Sequence, residues 1–560
     1  MSTPRRNLLD RQRLTHTLAA SLVMALLALT PALVRAQDAS PVAIVSPEPE
    51  LSPEATVAPT SVPAGQLTQA RPYLIPLDPS TLAITPILTS GETVGDYQMA
   101  GTPDGLGAYQ SAEGVVVFMN HEWRTEDNEH ISDARVSRLV LDPNSAGVTA
   151  GSYPIDGSEG YWSFCSAFLA GPEVGFDQPV FLTGEESTGG AHGGISLAVD
   201  GATGDVTELP WLGHIHHENE VVVPGFTGKT VVVTTDDNAD GSELYLYVAD
   251  SPADVLAGNG QLYVFKADNG ANTADVAKGT DLTGSFVPID ESDNADAETL
   301  QSAVDDMGAF KFVRLEDVTY DRTTTTTIYF SDTGDNADPN LATPTGAPLT
   351  ANGRIYQMQL DPSDPTRVTS LSVLLDGDDG DDIRNPDNID ANATTLVIQE
   401  DLNDYNQTAN SDATGRILAY DFAAGTLTPI AQIDQSDDPN LLVDPGDEAG
   451  SWESSGIIDV SSIFGPGAWL VDVQAHTLDV PQLGGVDEGG QLLLIRQITP
   501  SPATPAASPI AAASPEATEA PLPTETATAT EEASPPAEPT AEPTEEPTAE
   551  PTIAPASPSA

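Results

Sequence analysis

The sequence predicts an all-β protein, a six-bladed β-propeller between disordered N- and C-terminal extensions. Two observations carry this prediction. The first is a three-part sequence pattern that recurs six times between about residues 67 and 498. The second is that its apolar runs are short, lack a helical period and are joined by turns of Gly, Asp and Asn. Repeats of this size bury their apolar faces against neighbouring copies. Short strands favour blades around an axis, so the same corner of every blade is expected at one shared place.

Each copy consists of a polar start, a strand that ends in polar residues, and a returning strand. The polar starts are Pro103 to Gly105, Cys165, Glu218, Glu316 with Asp317, Pro386 to Asn388, and Ser455. The polar ends of the middle strands are Asn120 to Glu122, Glu185 with Glu186, Asp236 with Asp237, Asp332 with Asp335, Glu400 with Asp401, and Gln474 with His476. A tight hairpin places the end of one strand beside the start of its neighbour, so we expect both sets to face one rim.

The net charge excludes some classes of partner. A formal charge of −65, from 85 acidic and 20 basic residues, argues against nucleic acids and anionic membranes. The single cysteine excludes an internal disulfide. Carboxylates that converge on an axis repel one another, and bound cations would relieve that repulsion.

Residues 1–36 are typical of a signal peptide. Arginines near the start precede an apolar run from Leu18 to Val34, and Val34-Arg35-Ala36 offers a cleavage site. The pair Arg5-Arg6 also suits a twin-arginine signal, which exports folded proteins, and an ordinary signal with a chance arginine pair fits equally. The protein is therefore expected to be secreted, and extracellular or associated with the cell wall.

Two extensions flank the repeats. Residues 37–66 and 499–560 are rich in Pro, Ala, Ser, Thr and Glu, and so they are expected to be disordered. The Glu-Pro-Thr repeats at 538–552 are typical of a stiff spacer. No apolar segment follows them, and no membrane insertion is expected after signal removal. The propeller is expected over residues 67–498, as one domain and as a monomer.

The acids at the repeated corners are candidate metal ligands. Hard carboxylate oxygens in this number suit Ca²⁺, and a thiolate among them suits a transition metal such as iron or zinc. Cys165 is the lone thiol, at the place that Glu218 and Glu316 occupy in their copies. The alternatives are an inert buried cysteine, and acids that end strands only because they make good turns. Six copies in register favour the metal interpretation.

Several short motifs, in order, resemble those of PhoX-type alkaline phosphatases. They are Asn120-His121-Glu122, Cys165-Ser166 with Thr183-Gly184-Glu185-Glu186, His217-Glu218, Arg314-Leu315-Glu316, Pro386-Asp387-Asn388 and Gln474-Ala475-His476. The resemblance spans about residues 100–476. It implies an exported six-bladed propeller whose axial cluster contains calcium and iron and which hydrolyses phosphate monoesters.

The resemblance also implies roles for particular residues. It makes Cys165 a ligand of Fe³⁺ and Arg314 the clamp on the substrate phosphate, a role that a forked guanidinium suits. A structural salt bridge is the alternative for Arg314. The implied bridging or Ca²⁺ ligands are Glu186, Glu218 and Glu316, with Asp237, Asp387 and Asp401 as further candidates.

The chain departs from the family pattern at two places. Ala167-Phe168-Leu169 stands where the family has glycines, and no lysine follows Lys311 to contact phosphate late in the sequence. Arg496 is a candidate substitute. Loss of one cationic contact would cost about 1.5 to 3 kcal/mol, so activity is expected to be slower, retuned to another ester, or absent.

Three functions therefore compete. The first is a secreted, metal-dependent phosphomonoesterase, an alkaline phosphatase-like hydrolase. The second is a non-catalytic, calcium-stabilised surface propeller that binds a ligand or a cell-wall component. The third is a calcium-only, phytase-like propeller. Metal content and activity on a chromogenic monoester distinguish them.

Overall fold

The computed structural model describes residues 60–122, 134–238, 241–334, 350–402, 413–436, 449–483 and 488–498. The predicted signal peptide, the predicted C-terminal extension and Asp335 lie outside the described residues. Within the predicted N-terminal extension, Ser61 pairs with Thr93 and Val62 is buried in an apolar core. The folded part of the chain therefore includes residues before 67.

The structure is built almost wholly of strands. The first twelve are β1 (Leu74–Pro76), β2 (Leu82–Thr89), β3 (Thr93–Val94), β4 (Tyr97–Gln98), β5 (Pro103–Gln110), β6 (Val115–His121), β7 (Arg135–Leu141), β8 (Val148–Ile155), β9 (Ala167–Ala170), β10 (Val180–Gly184), β11 (Ser196–Asp200) and β12 (Val206–Leu209). The next nine are β13 (His217–Val223), β14 (Thr230–Asp236), β15 (Leu244–Ala249), β16 (Gln261–Ala267), β17 (Leu282–Pro288), β18 (Leu315–Tyr320), β19 (Thr327–Asp332), β20 (Arg354–Asp361) and β21 (Asp364–Asp376). The last seven are β22 (Pro386–Ala391), β23 (Thr395–Glu400), β24 (Arg416–Asp421), β25 (Thr426–Ile433), β26 (Trp452–Asp459), β27 (Trp469–Ala475) and β28 (Gly489–Gln497).

Helices in the described residues are few and short. The α-helices are α1 (Pro252–Leu256), α2 (Ala297–Met307) and α3 (Ser461–Phe464). Single 3₁₀ turns occur at Pro172–Val174, Pro210–Leu212, Thr273–Asp275, Glu291–Asn294 and Pro481–Leu483. The longest helix begins at an N-cap, where the Asp296 side chain accepts from the Thr299 amide, and ends at left-handed Gly308. None of the helices in the described part of the chain has the length and apolar character needed to cross a membrane.

The strands form antiparallel sheets in chain order. Four sheets have the form of blades, with the orders β5-β6-β7-β8, β12-β11-β10-β9, β1-β25-β24-β23-β22 and β2-β28-β27-β26. A fifth sheet has nine strands, in which β13 to β17 join β18 to β21 through the pairing of β17 with β21. A hairpin of β3 and β4 completes the set.

The sheets are arranged around an axis. We use the term first strands for β5, β9, β13, β18, β22 and β26, each of which contacts the next, and β26 contacts β5 again. Two early strands close the ring, because β2 pairs with β28 and β1 pairs with β25. The arrangement is thus propeller-like, and the all-β prediction is confirmed. Six separate blades are not seen, because the nine-stranded sheet is continuous.

The apolar cores lie between neighbouring sheets. For example, Phe118 of β6 stacks on Phe181 of β10, with ring centroids 5.2 Å apart, in a cluster shared by these two sheets. Other clusters join the last sheet to the first and the last sheet to its predecessor. Burial between sheets explains why each repeat needs its neighbours.

Candidate metal centre

A cavity of about 220 Å³ lies where the first strands begin. We call it the acid cavity. Its lining residues are Asp104, Glu122, Cys165, Glu186, Glu218, Arg314, Glu316, Asp387, Asp401, Glu453 and His476. Seven of the eight site residues predicted from the sequence are in this set, and the eighth, Asp237, binds Arg314. Their roles as ligands stay a prediction.

Five first strands carry an acid at their second residue. The acids are Asp104, Glu218, Glu316, Asp387 and Glu453. In the first four, the pairing with the next strand shifts register at this acid, and in β26 the shift follows one residue later. A β-bulge bends the strand locally and re-aims a side chain. The bulge therefore explains why acids in otherwise regular strands point into a common cavity.

Cys165 occupies the corresponding corner of the remaining sheet, two residues before β9 begins. The Gly105 amide donates to the Cys165 carbonyl at 3.1 Å, and the Asn120 amide group donates to the same oxygen at 2.6 Å. A Cβ on Gly105 would lie 2.5 Å from that oxygen, so only glycine allows this approach. The Cys165 Sγ lies 3.1 Å from Glu186 Oε2. Two neighbouring blades thus fix the position of the thiol.

Strained backbone precedes four of these corners. Thr102, Ser163, Arg314 and Asn385 have φ values of 40°, 42°, 54° and 43°, and each stands two residues before a cavity residue. Side chains other than glycine rarely adopt this left-handed region, and such residues cluster at functional sites. At all four the carbonyl accepts the amide of a residue at the end of the adjacent strand: Glu122 to Thr102, Glu186 to Ser163, Thr333 to Arg314 and Asp401 to Asn385. This contact brings the two sets of polar residues together.

The predicted second set divides into two faces. Glu122, Glu186, Asp401 and His476 line the acid cavity. The residues that we call bridging acids, Glu185, Asp236, Asp332 and Glu400, do not line it. The prediction that the whole second set faces one rim was therefore wrong for these four acids, because side chains alternate along a strand.

The bridging acids bind groups of the protein itself. Glu185 accepts from the Trp162 and Gly194 amides at 3.0 and 3.1 Å. Asp332 accepts from two further backbone amides, and Asp236 accepts from that of His216. Glu400 lies between two arginines, at 2.7 Å from Arg384 and from Arg416. These acids hold loops in place.

Arg314 is the cation of the cavity that the sequence predicted. Its Nη2 lies 3.0 Å from Asp237 Oδ2 and 2.9 Å from Glu316 Oε1, and Nε lies 3.3 Å from the same Asp237 oxygen. Among the described residues, no side chain or carbonyl accepts from Nη1. Arg496 lies elsewhere, with its guanidinium 5.4 Å from the Phe464 ring centroid and outside the acid cavity. The suggestion that Arg496 reaches the site was wrong.

The carboxyl groups of the cavity are in an unfavourable electrostatic environment. Burial, followed by repulsion from neighbouring carboxylates, raises the pKa of Asp104, Glu218 and Asp387 well above the usual range. Burial and Asp237 do the same to the pKa of Glu316, against the opposing charge of Arg314. Burial and nearby glutamates raise the pKa of the Cys165 thiol. A bound cation would favour the deprotonated forms of all these groups.

Three overlapping groups of donors have the spacing of metal ligands. They are Asp104, Glu122 and Cys165; Cys165, Glu186 and Glu218; and Glu218, Glu316 and Asp387, and within each group the ligand atoms lie within 4.8 Å of one another. The donor set is one sulfur among carboxylates. In addition, the buried oxygens Asp104 Oδ1 and Asp237 Oδ1 have no hydrogen-bond partner among the described residues. The residues therefore fit hard cations together with one sulfur-binding metal.

The sequence missed Asp104 and Glu453 as candidate ligands. Both stand at the second residue of a first strand, as Glu218, Glu316 and Asp387 do. That shared position was the signal that would have found them. His476 also lines the cavity. Burial lowers the pKa of its imidazole, but the contacts with Glu453 and Glu488 outweigh burial and raise the pKa well above the usual value.

Two comparisons with known proteins give matches to one family. A family model, Alkaline phosphatase PhoX, matches residues 197–444. Pseudomonas fluorescens PhoX in complex with vanadate, a transition state analogue, matches with a TM-score of 0.55 at 14% identity, over 79% of this chain and 98% of that chain. At this identity the likeness is one of fold.

Other solved structures match more weakly. A GH43_1 enzyme from Xanthomonas citri matches at a TM-score of 0.28 and 10% identity, over 71% of this chain and 88% of that chain. Sqt1 of Chaetomium thermophilum, bound to the N-terminus of ribosomal protein L10, matches at 0.29 and 11%, over 69% and 86%. TM-scores this low do not establish a common fold. No curated protein sequence matches the chain.

The residues that the family model matches include three of the motifs, His217-Glu218, Arg314-Leu315-Glu316 and Pro386-Asp387-Asn388. The resemblance to PhoX-type alkaline phosphatases is thereby confirmed by a family model that matches residues 197–444 and by a likeness in fold.

Proposed function

We propose that the protein is a metal-dependent phosphomonoesterase and that the acid cavity is its active site. One observation carries the proposal: a thiol, carboxylates and one guanidinium from six first strands and their neighbours converge on a cavity of about 220 Å³. That volume suits a phosphoryl group and leaves the alcohol of the ester outside. The family match supports the same reaction class.

The proposed cofactors are Ca²⁺ and Fe³⁺. Cys165 would bind iron, together with Glu186 or Glu218, because the thiol shares a group of closely spaced donors with these two acids. Glu218, Glu316 and Asp387 would hold calcium through oxygen alone. When bound, such cations supply an activated oxygen nucleophile and neutralise charge on the phosphoryl oxygens.

The residues of the chain itself bind and orient the ester. Asp237 and Glu316 fix the Arg314 guanidinium from one side, so that Nη1 is left to donate to a phosphoryl oxygen. A guanidinium held in this way loses little conformational freedom when it binds substrate. The left-handed backbone at Arg314 directs the side chain to its place. Arg314 is thus the substrate clamp.

We also propose that the propeller has six blades, two of them fused in the nine-stranded sheet. The six first strands in a closed ring support this count, as do the bulges near the start of five of them. The strand β17, which pairs with β21, would be the added element that joins two blades.

Secretion is part of the proposal. The signal at residues 1–36 and the acidic composition support an extracellular or cell-wall location, with a phosphate monoester as the substrate. Recovery of the mature protein from the culture medium of the native host, with its N-terminus after Ala36, is the expected result. Mature protein that retains residues 1–36 inside the cell would contradict it.

Elemental analysis and a hydrolysis assay test the function. The protein as isolated is expected to contain calcium and iron and to release p-nitrophenol from p-nitrophenyl phosphate, with higher rates at alkaline pH. Cys165→Ser is expected to lose iron while keeping most of its calcium. Arg314→Lys is expected to keep both metals and to lose rate, by roughly 10- to 100-fold.

Two results would contradict the proposal, the first as a whole and the second in the role of Arg314. One is protein that contains no iron and hydrolyses no monoester after supplementation with calcium. The other is an Arg314→Lys variant with unchanged rate and unchanged KM, which would remove the clamp. Calcium without iron, with activity retained, would instead favour a calcium-only enzyme.

A further inference from the structure

A second and larger cavity lies on the axis, at the other end of the first strands. Its volume is about 620 Å³. We call it the axial cavity. Five of the six first strands supply its walls through residues near their C-terminal ends, and Asn219 of β13 lies among the residues that line it. A cavity of this size is in the range of sites for small organic molecules.

A layer of polar side chains separates the two cavities. Asn388 donates to the Ser166 hydroxyl at 2.6 Å across the ring, and the Ser455 hydroxyl donates to Asn388 Oδ1 at 3.5 Å. Asn219 donates to the Asp317 carboxylate in the same layer. Each of these residues follows a lining residue of the acid cavity by one or two positions. A molecule in the axial cavity therefore lies apart from the proposed active site.

The walls of the axial cavity are mainly apolar. Phe168, Leu169, Ile389, Ile457 and Ile463 line it. Burial of an apolar body against such side chains is favourable by about 25 cal/mol per Å² of surface removed from water. The cavity thus suits a ligand with an apolar body.

The charges around the same cavity select against anions. Four acids line it, Glu173, Asp317, Asp390 and Asp459, against the single cation Arg322. Arg322 is already paired, at 2.8 Å from Asp390, and its guanidinium lies 3.8 Å from the Tyr320 ring centroid. The net charge of −65 adds a long-range field of the same sign.

The floor of the cavity has an unused acceptor. Asn219 is 3% exposed and lines the cavity, and its Oδ1 has no hydrogen-bond partner among the described residues. A buried acceptor without a donor is unfavourable, and a ligand that carries N–H groups would satisfy it. Apolar walls, excess negative charge and a free acceptor together describe a complementary ligand.

We propose that the axial cavity binds an organic amine, positively charged at neutral pH and with an apolar body. The ammonium group would lie among the carboxylates and the Asn219 amide oxygen, and the body would contact the apolar walls. This inference does not depend on the phosphatase proposal, because the polar layer separates the two sites.

Calorimetric titration of the full-length, metal-loaded protein tests the inference. The probes are 4-phenylbutylamine, the neutral 4-phenylbutanol and the anionic 4-phenylbutyrate, which share one apolar body. The amine is expected to bind at least about tenfold more tightly than the alcohol, and the carboxylate is expected not to bind. Hydrolysis of p-nitrophenyl phosphate is expected to continue without competition from the amine.

Two variants assign the binding to this cavity. Ala108→Phe places a ring in the lined space and is expected to abolish binding of the amine and the alcohol. Glu173→Gln with Asp459→Asn removes two charges at the partly exposed part of the lining, and the preference for amine over alcohol is expected to fall about fivefold. Thermal melting checks that each variant is folded.

Several outcomes would overturn the inference. They are equal affinity for amine and alcohol, preferential binding of the carboxylate, no binding at millimolar concentration, and amine binding that survives Ala108→Phe in a folded variant. Competition between the amine and the phosphate monoester would also overturn it, because the amine would then bind in the acid cavity.

Discussion

Carboxyl groups that are neighbours in sequence meet different conditions in this protein. The bridging acid Glu185 accepts two backbone amides, whereas Glu186, the next residue, lines the acid cavity beside the Cys165 thiol. Glu400 and Asp401 differ in the same way. Side chains alternate between the two faces of a strand, and the comparison shows that this alternation decides which acids accept hydrogen bonds from the protein itself. The acids on the other face meet mainly like charges, and a bound cation would relieve that repulsion.

The largest expected effect comes from a matched pair of substitutions. Glu218→Gln removes a carboxylate that belongs to two of the groups with metal-ligand spacing, so we expect hydrolysis to fall roughly 1,000-fold or more and the metal content to drop. Glu185→Gln is the control, because it changes an acid that binds only protein amides. It is expected to keep the metals and to lose about 1 to 3 kcal/mol of unfolding free energy. Elemental analysis and urea unfolding measure both, and equal metal loss in the two variants would contradict the comparison.

The bridging acid Glu400 is expected to give the largest loss of stability. Its side chain is fully buried between Arg384 and Arg416, which are each 15% exposed. Glu400→Gln leaves two arginines without their shared carboxylate, and the free energy of unfolding is expected to fall by about 3 kcal/mol. Chemical denaturation of the chelated protein measures the loss. A loss below about 1 kcal/mol would show that Asp382, the other partner of Arg416, holds the arginines by itself.

The pH dependence of stability is expected to reverse when the metals are removed. Burial raises the pKa of Glu218 and Glu316 above the ordinary value of 4.5, so protonation stabilises the folded state. This contribution is complete below about pH 4.5, and it is lost as the pH rises through the raised folded values. The melting temperature of the chelated protein is therefore expected to fall between pH 5 and pH 9.

The metal-loaded protein is expected to behave oppositely. Its ligands must be deprotonated to bind, so the stabilisation by metal grows as the pH rises over the same range. Melting curves with and without a chelator at each pH measure both trends. Parallel curves would mean that the cavity acids are not the ligands.

The smallest expected effect belongs to Asp472, a buried acid that belongs to neither set. Neither of its oxygens makes a hydrogen bond of good geometry to the described residues, and burial raises its pKa well above the usual range. Asp472→Asn is expected to stabilise the chelated protein at pH 8 by about 1 kcal/mol and to change little at pH 5. Urea unfolding at the two pH values measures the difference. Destabilisation at pH 8 would show that the carboxylate has a cation as its partner.

The sequence predicted well that these side chains meet in one cavity, because the repeats keep them at equivalent positions. Cys165, Glu218 and Glu316 occupy one position in three copies, and the structure brings all three to one cavity. Glu453 was missed because the last copy was taken to start at Ser455, two residues later. Asp104 was part of the polar start of the first copy but was not carried into the ligand set, although it lies at the second residue of β5.

Other features were beyond a reading of the sequence. Left-handed backbone at Thr102, Ser163 and Asn385 is imposed by contacts between strands, and no glycine marks these positions. The fusion of two sheets depends on the pairing of β17 with β21, whose partners are far apart in sequence. By contrast, the alternation of side chains along a strand is enough to separate Glu185 from Glu186.

Closure of the ring by β2 against β28 sets the order of events in a cell. The Gln491 side chain donates to Thr89 Oγ1 at 3.0 Å, so the seam joins residues from the two ends of the folded region. A ribosome must finish nearly the entire chain before this seam can form, and a partly synthesised copy lacks both Glu453 and His476. Acquisition of the proposed cations would therefore be a late step, and the compartment in which the last strand docks would decide which ions the protein carries.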